Sequence, residues 1–156
     1  MLKKSLRRKI TGVVALAAGC LVIYLGDWLL GVKVELWLGL GTFNYAWILD
    51  MFVVPLLAGI VVALLFGLGG KWLCYFPPII MRVYSYLSFI YFDPLPHGAR
   101  LLTLPLWILI VILVVESAAF GGVFGEILVK RTYGRLPRHL VYRDHKTPQN
   151  SSEAEN

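Results

Sequence analysis

Four long apolar stretches, separated by short polar breaks, run along the chain at residues about 10–31, 46–68, 72–92 and 101–129. The first, second and fourth each reach the ~20 residues that a helix needs to cross a ~30 Å hydrocarbon core. The third is weaker. It carries Pro77-Pro78 near its start, Arg82 within it, and several Tyr and Ser. If its regular helix begins only at Pro77, it rises about 24 Å, a little short of a full crossing.

Composition agrees with the pattern. Hydrophobic residues make up 58% of the 156 residues and charged residues 15%, against about 25% charged in a soluble domain. A soluble fold of this length cannot hide so much apolar surface. The expected class is an all-α integral membrane protein, a bundle of four transmembrane helices.

Charge then decides the expected orientation. Lys3, Lys4, Arg7, Arg8 and Lys9 precede the first stretch, and Lys130, Arg131, Arg135, Arg138, Arg143 and Lys146 follow the last. The positive-inside rule places both ends in the cytoplasm, which requires an even number of crossings. With residues 72–92 spanning, the inner loop holds Lys71 and the outer loops hold only Lys33 and Arg100. Without that crossing, the six basic residues of the tail fall outside. The expected division is a basic cytoplasmic N-terminus (1–9), a membrane domain (10–129) and a basic, largely disordered cytoplasmic tail (130–156). The expected location is a bacterial inner membrane. The first stretch is too long for a signal-peptide core and continues past Ala15, Ala17 and Ala18, so a retained helix is expected.

The loops and aromatic residues add detail. Trp28, Trp37, Tyr45 and Trp47 gather at the expected outer ends, and Trp72 and Tyr75 at an inner end. These are headgroup-level belt positions. The segment Val32-Lys33-Val34-Glu35-Leu36-Trp37-Leu38 alternates up to Glu35 and reads as a short strand or an extended surface piece. Asp93-Pro94-Leu95-Pro96-His97-Gly98 reads as a turn.

Small residues mark packing faces. Gly12, Gly19 and Gly26 recur every seven residues, Gly59, Ala63 and Gly67 every four, and Ala118 and Gly122 repeat that spacing beside Gly121 and Gly125. Such stripes allow close backbone approach in lipid, where hydrophobic exclusion gives no driving force. Pro55 and Pro105 are expected to kink their helices.

Charged residues inside the apolar stretches are the best functional clue, because each costs about 2.5–3.5 kcal/mol at mid-helix on insertion scales. Arg82 and Glu116 fall near the middle of neighbouring antiparallel spans, and an ion pair between them is expected. Asp27 and Asp50 each lie about one turn inside an outer end, at similar depth. Glu126 is expected to pair near the inner surface with Lys130 or Lys71. Lys130, Arg131, Arg135 and Arg138 form a juxtamembrane patch suited to anionic headgroups.

Several classes are excluded or disfavoured. Cys20 and Cys74 do not form a CxxC and read as small buried residues. His97 stands alone, so no metal site is expected, and no cofactor. The chain has no Walker loop, HExxH or GxSxG. The basic tail accompanies no nucleic-acid-binding domain, so nucleic acid is not an expected partner. Two outer-face aspartates on a four-span chain look similar to lipoprotein signal peptidases. Those enzymes carry their aspartates in the later spans within Asn- and Asp-containing motifs, and this chain offers only Asn44 and Asp93. The expected role is a non-catalytic subunit or accessory factor of a larger membrane complex, with membrane lipids and a larger membrane protein or further copies as partners. The alternative is a small oligomeric ion- or proton-coupled transporter or channel using Glu116 and Arg82. A lipid-modifying enzyme built on Asp27 and Asp50 is the third possibility.

Overall fold

A computed structural model describes residues 2–67, 69–92 and 95–133. Four of its helical stretches are long and apolar enough to cross a membrane: Lys9–Leu30, Tyr45–Phe66, Gly70–Tyr91 and Leu104–Arg131. Of the expected tail, residues 134–156, Arg135 and Arg138 among them, lie outside the described residues, as do Asp93 and Pro94.

Helix α1 runs Leu2–Leu30. It therefore begins within the basic segment rather than after it, because Leu, Lys and Arg are good helix formers. A loop leads to the two-residue strand β1 (Leu36–Trp37) and a 3₁₀ turn, Gly39–Thr42. The second span is built in pieces: α2 (Tyr45–Ile48), a π-helical turn (Leu49–Val53) and α3 (Val54–Phe66). The Asn44 side chain caps α2 by accepting from the Trp47 amide at 2.8 Å. The π-turn precedes Pro55, which has no amide to donate to the preceding turn. A widened turn is one of the ways a helix accommodates that gap.

The third span opens with a 3₁₀ stretch, Gly70–Tyr75, and continues as α4 (Phe76–Tyr91). Strand β2 (Arg100–Leu101) pairs antiparallel with β1, Leu36 opposite Leu101 and Trp37 opposite Arg100. Helix α5 runs Leu104–Tyr133. Pro77, Pro78 and Pro105 all fall in the first turn of a helix, where a missing amide costs no intrahelical bond. Pro105 is thus a start signal, not a kink.

The packing register follows the small residues. A Cβ on Gly19 would come within 2.6 Å of the Val62 side chain, one on Gly26 would collide with Val54, and Gly12 lies against the Phe66 ring. These pairs run α1 antiparallel to α3. Gly59 lies against the Ala118 carbonyl, Gly121 against the Leu56 carbonyl, and a Cβ on Gly125 would sit 2.7 Å from that of Ala63. These pairs run α3 parallel to α5. Ser117 Oγ adds a hydrogen bond across the same seam, donating to the Phe52 carbonyl at 2.6 Å. Gly67 departs from its expected packing role. It ends α3 with φ at +79° and has nothing within 4 Å of an added Cβ, so its glycine serves the chain reversal.

Three buried apolar clusters run along the bundle. One sits at the end that carries the β-ribbon: Val34, Trp47, Met51, Leu102, Ile110 and Val114. The second joins Ile23, Val54 and Ala58. The third, toward the opposite end, joins Ala15, Val62, Ala63 and Cys74. Cys74 Sγ lies 3.2 Å from the carbonyl oxygens of both Gly59 and Gly70, which share its single S–H donor.

Candidate functional site: a buried arginine among three carboxylates

Arg82 is 1% exposed in the middle of α4, and its guanidinium meets three acidic side chains. Nη2 donates to Asp27 Oδ1 at 2.9 Å, and Nη1 donates to Asp27 Oδ2 at 3.2 Å. This is the two-bonded fork that suits guanidinium to carboxylate. Nη2 also donates to Asp50 Oδ2 at 3.2 Å, and Nη1 to Glu35 Oε1 at 3.3 Å. Glu35 and Asp50 are fully buried, and Asp27 is nearly so.

Each carboxylate arrives from a different element. Asp27 lies one turn before the end of α1. Glu35 lies in the loop between α1 and β1, and Asp50 lies in the π-turn. One guanidinium therefore ties the end of α1, the loop after it and the π-turn to α4. The loop holds its position because Val34 and Leu36 are buried on either side of Glu35. The amide of Leu102, just beyond β2, donates to the Glu35 carbonyl at 3.0 Å.

The ion pair expected between Arg82 and Glu116 is not the one the structure makes. Glu116 is exposed on α5 and has no hydrogen bond or ion pair among the described residues. Its helix turns Val114, Ser117 and Ala118 inward instead, because Ala118 and its neighbours form the close seam with α3. Two physical facts place Arg82 with the aspartates. The 3₁₀ stretch before α4 rises about 2.0 Å per residue against 1.5 Å in an α-helix, carrying Arg82 toward the ribbon end. The long arginine side chain covers the rest.

Sequence reading missed Glu35 by assigning it to a surface loop. The available signal was its apolar setting, with Val32, Val34, Leu36 and Leu38 around a single carboxylate. Asp27 and Asp50 do meet, through Arg82. Ser85, one turn after Arg82, is buried, and Tyr86 Oη donates to the Leu102 carbonyl at 3.3 Å while its ring stacks on Trp107 at 4.6 Å. The exposed Lys130 reaches Glu126 at 3.5 Å across one turn. Arg131 is exposed at the end of α5.

The cluster is unbalanced. Three carboxylates face one guanidinium. Glu35 Oε2, Asp50 Oδ1 and Arg82 Nε are buried without a partner. Uncompensated charge at such a depth costs several kcal/mol, so the full set is stable only with a proton or a cation that offsets the excess. Among the described residues, no group of His, Cys, Asp and Glu side chains is arranged to hold a metal ion. No family model, curated protein or solved structure matches the chain.

Proposed function

We propose that the protein is a small integral membrane protein with both termini in the cytoplasm, most simply of a bacterial inner membrane. Its role in this reading is that of a non-catalytic subunit or accessory factor that packs against a larger membrane protein through α5. The observation that carries the reading is the position of Glu116. It lies twelve residues into α5, about 18 Å along the axis, near the middle of a span. It is exposed, and its neighbours on the same face, Ile112, Leu113 and Phe120, are exposed apolar side chains.

A carboxylate bare to hydrocarbon is costly, and intramembrane acids typically face a bundle interior or a partner. The face continues into an apolar groove of about 380 Å³, lined by Trp47, Met51, Leu109 and Leu113 among others. Glu116, Leu113 and Leu109 lie on one stripe of the helix. The groove and the acid together form a surface for a partner helix carrying a Lys, Arg or strong hydrogen-bond donor at mid-depth. A second copy of this chain fits less well: its mid-span cation, Arg82, is already buried among its own acids. A transporter or channel using Glu116 and Arg82 together is less supported, since the two residues do not share a site.

The test is site-specific photocrosslinking in the native membrane from positions 113 and 120, with Val13 on α1 as the control position. The expected result is a heteromeric adduct from α5 only, lost in Glu116→Leu, whose partner peptide lies in an apolar segment with a basic residue. Adducts to lipid alone, or to a second copy of the chain, would overturn the subunit reading.

A further inference from the structure

A crevice of about 240 Å³ opens between α1 and α4 at the ribbon end, beside the arginine cluster. Its floor is polar: Asp27 and Ser85 are its buried lining residues. Its rim is aromatic and exposed, formed by Tyr24, Trp28 and Tyr84, with the exposed Lys33 in the adjoining loop. Lys33 makes no ion pair among the described residues, although a carboxylate lies in the same crevice.

The two ends of the crevice differ in charge. Both Asp27 oxygens accept from Arg82, but the cluster behind the floor sets three acids against one guanidinium, so the net charge close to the floor is negative. Tyrosine and tryptophan faces beside it attract a cation further. Lys33 at the mouth carries the opposite sign. A ligand that fits must hold a small hydrogen-bonding cation and an anion a few bonds apart. The helix ends at Leu30 and Tyr91 put the mouth level with the headgroup layer if the bundle spans a membrane.

The geometry points to a binding site for a phosphoethanolamine group, carried by a membrane phospholipid, with its ammonium toward Asp27 and Ser85 and its phosphate on Lys33. A primary ammonium donates hydrogen bonds to the carboxylate and the serine hydroxyl. A choline group has no N–H to donate, and a glycerol headgroup brings no cation to the acidic floor. The acyl chains then lie along the exposed apolar surface of α1, where Leu21 and Leu25 face outward. This inference rests on the membrane placement proposed above but not on the subunit role.

Native mass spectrometry of the detergent-purified full chain tests it, with phosphatidylethanolamine, phosphatidylcholine and phosphatidylglycerol offered at equal concentration. One phosphatidylethanolamine per chain is expected, favoured by roughly tenfold or more over the other two. Lys33→Ala and Tyr84→Ala, both at exposed positions, should each reduce phosphatidylethanolamine retention roughly tenfold. Tyr91→Ala, an exposed tyrosine outside the crevice, should not change it. Equal retention of the three lipids, or unchanged retention in both crevice variants, would overturn the site. Soluble O-phosphoethanolamine at the same concentration separates the sources: displacement of the lipid by it would assign the site to a free phosphate ester and overturn the lipid assignment. Release of the protein from membranes by alkaline carbonate would remove the membrane placement itself, a failure distinct from loss of headgroup selectivity.

Discussion

Arg82 and Asp27 are fifty-five residues apart in sequence and joined by two hydrogen bonds, at 2.9 and 3.2 Å. This pair holds the end of α1 against the middle of α4. Glu35 and Asp50 attach to the same guanidinium by one bond each, at 3.3 and 3.2 Å. The asymmetry between one doubly bonded acid and two singly bonded ones leads to an ordered set of mutational effects.

Arg82→Met should be the most damaging single change in the cluster. It leaves three buried carboxylates without a guanidinium, and breaking a buried ion pair by removing one partner costs about 3–5 kcal/mol. Thermal unfolding in detergent should show a large fall in melting temperature, with Arg82→Lys intermediate because the charge stays and the fork is lost. A melting temperature within a degree or two of the parent in Arg82→Met would remove the cluster from any structural role.

Asp27→Asn and Asp50→Asn should separate. The first removes half of the two-bonded pair and should cost about 1.5–3 kcal/mol. The second changes an acid that makes one bond and has a second oxygen unpartnered. It also relieves part of the negative excess, so its cost should stay below about 1 kcal/mol. The same unfolding assay decides the order, and Asp50→Asn proving the more harmful would contradict the charge-balance argument.

Glu116→Leu should leave the isolated protein's stability within about 0.5 kcal/mol of the parent, as for a surface position. The adduct formed from α5 should nevertheless disappear. A destabilisation as large as that of Arg82→Met would mean that Glu116 is engaged inside the bundle.

Gly121→Val and Gly59→Val should disrupt the α3–α5 seam, because each adds a side chain against a backbone carbonyl that cannot move aside. Overpacking of this kind costs about 1–3 kcal/mol or more. Gly67→Ala meets no neighbour and should cost about 1–3 kcal/mol through its positive-φ extended backbone alone, a conformation open essentially to glycine only. Comparative melting of the three variants tests these costs.

Orientation is open to direct measurement. In a background lacking Cys20 and Cys74, an impermeant maleimide added to intact cells should label His97→Cys and leave Lys71→Cys unlabelled. The reverse pattern would invert the proposed topology.

Four helices long and apolar enough to cross a membrane were legible in the chain because long apolar runs are a one-dimensional property. The glycine spacings were legible for a related reason: helical periodicity converts sequence distance into a face. What a face meets is not periodic. Whether Glu116 or the aspartates receive Arg82 depends on helix rotation, on the faster rise of the 3₁₀ stretch before α4, and on the seam that turns Ala118 and Ser117 inward. Glu35 became a core residue only because two two-residue strands pin its loop over the bundle end. By itself, the sequence determined that the helices exist, how long they are and which charges they contain. The tertiary structure alone decided which charges share a buried site and which one is left facing outward, because pairing follows from rotation and depth, which no linear pattern encodes.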